Sequence, residues 1–172
     1  VHAVGHHVHE FIDALLDERS ARSDIKIRVI SSSVQMAEPD AEDAARIAAG
    51  VPSDLYVIIS PNVGLPGPSK AREVLKATGK PIIIIGDEPS RKAAKALAEE
   101  GIGSIVIYGD PMISAKAPFL DPVEMALFNS DVLRVLAVTG AFRLVQTTLD
   151  RVIEEIKAGQ KPQLPQLVIN KT

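Results

Sequence analysis

Leu55-Tyr56-Val57-Ile58-Ile59-Ser60-Pro61-Asn62-Val63-Gly64-Leu65-Pro66-Gly67-Pro68-Ser69-Lys70-Ala71-Arg72 runs from an unbroken apolar stretch into a stiff Pro/Gly turn and on into a helix start. An apolar run without alternation reads as a strand covered on both faces, as in a parallel sheet. The helix is expected over residues 69–78, closed by Gly79. Strand, turn and helix in this order put the turn at the carboxyl end of the sheet, where open α/β folds bind their ligands. Pro61, Pro66 and Pro68 restrict the backbone there, while Gly64 and Gly67 allow close approach to a ligand. Ser69, Lys70 and Arg72 bring donors and positive charge to the first helical turn, whose unpaired N–H groups favour an anion. A rigid surface turn with two solvated cations fits the same residues.

The pattern repeats on both sides of this stretch. Upstream, residues 1–4 read as the end of a first strand with Gly5 at its turn. A helix follows on Phe11, Ile12, Leu15 and Leu16, and residues 25–31 alternate apolar with basic, as a strand near a sheet edge would. Glu38-Pro39-Asp40 opens a helix over 41–49. Downstream, Pro81 introduces Ile82-Ile83-Ile84-Ile85, the most apolar run and a central strand, ended by Gly86-Asp87-Glu88-Pro89. A helix over 90–100 and a strand over 104–108 come next. Crossovers this short require parallel strands and right-handed connections. The fold expected is α/β: a Rossmann-like parallel sheet with helices on both faces, followed by a C-terminal helical segment.

That domain spans residues 1–112. In the helical segment, 113–159, Asp121-Pro122-Val123-Glu124 has an Asp cap, a first-turn Pro and an acidic third position. Residues 123–138 are apolar almost all round, which suggests a subunit interface or cleft wall. Phe142, Val145, Leu149, Val152, Ile153 and Ile156 give a cleaner amphipathic helix. The tail, 160–172, holds a short strand-like run, Leu167-Val168-Ile169.

The 172 residues are 46% hydrophobic but only 3% aromatic, so the core is built from Val, Ile, Leu and Ala. A net charge of −3 with mixed signs gives no footprint for nucleic acid. With no cysteine, disulfides and thiolate chemistry are excluded. No apolar run reaches membrane-span length and no signal peptide is evident, so no membrane contact and a cytoplasmic location are expected. The chain begins at Val1, so a short preceding piece is expected.

Three loops of the carboxyl edge carry polar groups: 5–9, 60–72 and 86–89. His6, His7 and His9 lack a zinc spacing, so no metal is expected, and they read as solvated. Asp87 and Glu88 could bind a hydroxyl, stabilise a cation, act as acid or base, or simply cap a helix. Gly109-Asp110-Pro111 reads as a turn. There is no GxGxxG, Walker A or GxSxG pattern.

Several stretches resemble one family in register: Leu15-Leu16-Asp17-Glu18-Arg19, Pro66-Gly67-Pro68-Ser69-Lys70-Ala71-Arg72-Glu73, Ile85-Gly86-Asp87, Phe119-Leu120-Asp121-Pro122-Val123-Glu124-Met125-Ala126 and Val135-Leu136-Ala137-Val138-Thr139-Gly140-Ala141-Phe142-Arg143-Leu144-Val145-Gln146. The family is the deazaflavin (coenzyme F-420)-dependent methylenetetrahydromethanopterin dehydrogenases. The resemblance implies reversible hydride transfer between methylene-tetrahydromethanopterin and coenzyme F-420, without a metal, in a homo-oligomer (a hexamer built from dimers). It implies a cleft lined by Pro61, Asn62, Gly64, Pro66, Gly67, Pro68, Gly86 and Asp87. Asp121, Glu124, Asn129 and Asp131 would belong to the helix that shapes site and oligomer. Asp87 and Glu124 are the carboxylates expected to stabilise the methenyl cation, and Ser69, Lys70 and Arg72 suit the anionic deazaflavin tail. Family members are longer and carry a Gly-Asn-Leu-Gly-like turn where this chain reads Gly5-His6-His7-Val8-His9, so a truncated or divergent member is expected. The other function considered is a non-catalytic cofactor-binding or assembly subunit.

Overall fold

Each long apolar run becomes a buried strand, because only a sheet covered on both faces removes consecutive Val and Ile side chains from water. The structure, a computed structural model, describes residues 2–5, 15, 22–32, 36–109 and 121–170. Among the described residues the strands are β1 (His2–Gly5), β2 (Arg28–Ser31), β3 (Tyr56–Ile59), β4 (Ile82–Asp87), β5 (Gly103–Ile107) and β6 (Gln166–Ile169). All pairs are parallel, in the order β2-β1-β3-β4-β5-β6. The order reverses between β1 and β3, which places a topological switch point beside the turn that follows β3.

The helices are α1 (Glu38–Ala49), α2 (Pro66–Lys76), α3 (Arg91–Glu99), α4 (Pro122–Val138) and α5 (Ala141–Lys157), with a 3-10 turn at Glu88–Ser90. The pleat sorts the strand residues. Val57, Ile59, Ile83, Ile85, Ile105 and Ile107 face one core, with Val145, Leu149 and Val152 of α5 and Leu136 of α4. Tyr56, Ile58, Ile82 and Ile84 face the other, with the alanines of α1, Ala71 and Leu75 of α2, and Leu97 of α3. The alanine face of α1 (Ala41, Ala44, Ala45, Ala48) lets it lie close to its neighbours. Leu15 is buried with the first core. The rest of the helix expected around it, the three clustered histidines and Asp110-Pro111 lie outside the described residues.

Both ends of the chain are woven into one sheet. The strand-like run of the tail becomes β6, which pairs with β5 in the register Ser104↔Gln166 to Ile107↔Ile169. The edge position expected for the alternating upstream segment holds: β2 pairs with β1 alone. Asp121 caps α4 as its sequence suggested, its Oδ1 accepting the Val123 N–H at 2.7 Å. Among the described residues no single helix is long and apolar enough to cross a membrane.

One boundary differs in a way that matters. The helix expected over 69–78 is α2, and it starts three residues earlier, at Pro66. Proline breaks a helix interior but is tolerated in the first turn, where an N–H has no carbonyl to reach. Pro66 and Pro68 both stand there, and the Ser69 N–H already bonds the Leu65 carbonyl at 3.1 Å. Ser69, Lys70 and Arg72 therefore sit past the unpaired turn.

Candidate functional site

The turn after β3 is sewn to the end of β4. The ladder extends past the end of β3: the Ser60 N–H donates to the Ile85 carbonyl at 3.1 Å and the Asp87 N–H to the Pro61 carbonyl at 3.2 Å. Within the turn, Asn62 Oδ1 accepts the Gly64 N–H at 3.1 Å, and the Asn62 carbonyl takes the Leu65 N–H at 3.2 Å and the Ser60 hydroxyl at 3.4 Å. Val63 is buried in the core beneath. Gly64, Leu65 and Pro66 form an exposed crest, with Pro61 and Asn62 half-buried at its foot. The result is a rigid, mostly apolar wall on the carboxyl edge.

The expected site residues divide by burial. Pro61, Asn62, Gly64 and Pro66 belong to the wall. Gly67, Pro68, Gly86 and Asp87 are buried behind or below it. Gly67 does allow a close approach, but to the chain's own backbone: a Cβ there would overlap the Met36 carbonyl oxygen. Asp87 is wholly buried. The pleat puts it on the same face as Ile83 and Ile85, the face that α4 and α5 cover. Glu124 stands exposed in the first turn of α4. Asn129 is half-buried, and Asp131 is paired with Arg134 at 3.0 Å.

The anion site expected at the start of α2 is not built as the sequence suggested. Of the first three helical residues, two are prolines and carry no N–H, and the third, Gly67, is buried. Lys70 pairs with Glu73 at 3.2 Å, and Glu100 takes Lys76 at 2.9 Å and Arg72 at 3.9 Å. The Lys76 ammonium, hydrogen-bonded to Glu100, holds that carboxyl below its usual range, with the charge of Arg72 acting in the same sense. These cations line a groove of about 430 Å³ with Glu38, Pro66, Ser69 and Glu73. It meets the wall only at Pro66.

Sequence reasoning missed three residues of this edge. Leu65 is an exposed apolar side chain on the crest, 51% accessible. Arg91 puts a cation at the carboxyl edge, donating to Tyr108 Oη at 3.0 Å. Ser90, read as nothing more than a helix start, is buried and bonded to the turn: its Oγ accepts the Val63 N–H at 3.1 Å and donates to the Pro61 carbonyl at 3.2 Å. The partners lie 27 and 29 residues away, so no local pattern announces them. Among the described residues no three His, Asp or Glu side chains converge as a metal site would require.

Residues 4–172 match the family described as methylene-5,6,7,8-tetrahydromethanopterin dehydrogenase. The chain is 51% identical over 158 residues to the F420-dependent methylenetetrahydromethanopterin dehydrogenase of Archaeoglobus fulgidus, covering 92% of this chain and 57% of that protein. It is 47% identical to the protein of the same name from Methanothermobacter marburgensis, covering 92% of this chain and 58% of the relative. Among solved structures it is similar to an F420-dependent methylene-tetrahydromethanopterin dehydrogenase in complex with methylene-tetrahydromethanopterin and coenzyme F420. That likeness has a TM-score of 0.86 at 40% identity and covers 99% of this chain and 64% of the other. The chain thus spans a little over half the length of the curated relatives it matches.

Proposed function

We propose a function from one premise: the chain belongs to the methylene-5,6,7,8-tetrahydromethanopterin dehydrogenase family. The protein is an oxidoreductase that moves a hydride reversibly between methylene-tetrahydromethanopterin and coenzyme F-420. The likeness to the F420-dependent enzymes over 92% of the chain carries this reading. The C–H bond of the pterin's methylene group breaks, its electron pair and hydrogen join the deazaflavin ring, and the ring takes up a solvent proton. The pterin is left as a methenyl cation.

The residues present fit two flat rings. Direct hydride transfer needs reacting carbons held close together with water excluded, more than it needs an acid or a base. The stiff crest of Gly64, Leu65 and Pro66, with Pro61 and Asn62 at its foot, supplies an ordered apolar surface of that kind. Asp87 lies below the wall, where low dielectric strengthens its attraction to a developing cation, and Glu124 adds a second carboxylate from α4. Gly67, Pro68 and Gly86 act from behind by setting where the wall stands. The deazaflavin's anionic tail leaves the wall at Pro66 and enters the groove of α2. There Ser69 and Lys70 lie one turn into the helix, and Arg72, tied to Glu100, lies beyond them.

A cytoplasmic homo-oligomer belongs to the same reading. Val123, Leu127, Phe128, Val135 and Val138 leave α4 with large exposed apolar side chains, Val138 at 84%. A surface of this kind favours association. Visible absorbance of the oxidised deazaflavin, mixed with protein and methylene-tetrahydromethanopterin, tests the activity. Bleaching that requires both is expected. Tight deazaflavin binding without bleaching would leave a binding or assembly subunit instead.

A further inference from the structure

We propose that Ser90 is a positioning residue of the hydride-transfer site, acting through Pro61 and Val63, and that residue 86 is glycine in order to admit its hydroxyl. The inference rests on the reading that the turn after β3 is the wall against which the rings lie.

The turn's own hydrogen bonds fix its shape but not its place. The bonds from Gly64, Leu65 and Ser60 all end on Asn62, inside the turn. What ties the turn to β4 is the Ser60 N–H on the Ile85 carbonyl at its start, the Asp87 N–H on the Pro61 carbonyl, and the Ser90 hydroxyl, which bonds Pro61 and Val63 at once and holds the turn beyond Pro61. Ser90 is only 1% exposed, so removing the hydroxyl takes from the Val63 N–H a buried partner that bulk water does not reach. Both of its roles are used: it accepts one proton and donates the other. The 3-10 turn at Glu88–Ser90 brings it back over β4, above Gly86. A Cβ on residue 86 would overlap Ser90 Oγ, approach Ser90 Cβ to 2.8 Å and lie 2.9 Å from the Ser60 carbonyl oxygen. Real Cβ atoms do not make such contacts, so Ser90 can hold this position only with glycine at 86, where the Ser60 carbonyl also leaves no room for a side chain.

Pro61 and Val63 flank Asn62, so a turn freed from Ser90 shifts or samples several positions. Hydride transfer falls steeply with donor–acceptor distance, whereas binding of the rings tolerates a looser wall. Ser90→Ala should lower kcat roughly 10- to 100-fold. The deazaflavin dissociation constant should rise no more than about threefold, since the wall's apolar surface is kept.

The experiment compares Ser90→Ala and Ser90→Cys with the unaltered protein. Coenzyme F-420 binding is followed by fluorescence titration, turnover by absorbance, and the Val63 amide by hydrogen exchange. The expected result is a large loss in kcat with nearly unchanged affinity, faster Val63 exchange in Ser90→Ala, and an intermediate position for Ser90→Cys, whose thiol bonds weakly. A lower melting temperature with unchanged kcat would make Ser90 structural only and overturn the proposal, as would unaltered Val63 exchange. If the unaltered protein binds no deazaflavin, the reading of the site fails and the catalytic role of Ser90 fails with it. Val63 exchange then still reports whether Ser90 holds the turn.

Discussion

Asp87 lies at the end of β4 with no surface exposed, beside a wall of apolar and small residues. A charge developing near that position would meet the Asp87 carboxyl with little screening. Asp87→Asn keeps the shape and removes the ionisable carboxyl. The turnover of methylene-tetrahydromethanopterin should fall by roughly 10²–10³-fold with coenzyme affinity nearly unchanged, as for other groups that meet charge developing in a transition state. Steady-state kinetics beside a binding titration measures this, and unchanged kcat would remove Asp87 from the chemistry. Asp87 could be singled out in the sequence because it follows the most apolar strand directly. Ser90 could not, because its significance lies in a contact with a turn 27 residues earlier.

At the scale of elements, strands were more legible than helix ends. Ile82-Ile83-Ile84-Ile85 and Leu55-Tyr56-Val57-Ile58-Ile59 announce buried strands because no other structure hides so many branched side chains in so few residues. The start of α2 was misplaced because Pro66 and Pro68 read as loop formers, although a first helical turn accepts proline. The earlier start turns Gly67 into a packing residue against Met36. Gly67→Ala should therefore destabilise the fold by about 1–3 kcal/mol, since a backbone carbonyl cannot step aside as a side chain can. Urea unfolding reads the loss, and an unchanged midpoint would mean that α2 sits farther from residue 36. The apolar character of α4 was also legible, and much of that helix stays exposed. Leu127→Glu combined with Val135→Lys should shift the protein toward smaller species in light scattering while its helical content holds. An unaltered mass would take α4 out of the assembly.

Across the whole molecule, parallel order followed from short crossovers, while the attachment of β6 to β5 pairs Ser104 with Gln166, 62 residues apart, which no local pattern specifies. Charge also acts at this scale. Ion pairs with Arg22 hold the carboxyls of Asp24 and Glu154 low, Arg46 does the same for Glu42, and Lys76 does so for Glu100. A carboxyl depressed in the folded state contributes stability above its unfolded pKa and loses it as the pH falls through the folded value. The melting temperature should therefore hold near neutrality and drop as the pH falls below the ordinary carboxylate range, near 4. High salt should blunt the effect, because these pairs lie at the surface. A melting temperature that rises on acidification would contradict it.

The proposed hydride transfer requires the two rings to meet against the wall after β3 with water excluded. Methylene-tetrahydromethanopterin with both hydrogens of its methylene carbon replaced by deuterium, reacted with oxidised deazaflavin in ordinary water, tests this most directly by mass spectrometry of the reduced coenzyme. Direct transfer puts one deuterium in each deazaflavin reduced. Deuterium recovered in the solvent, or reduction without label, would mean that the hydrogen does not pass directly between the rings.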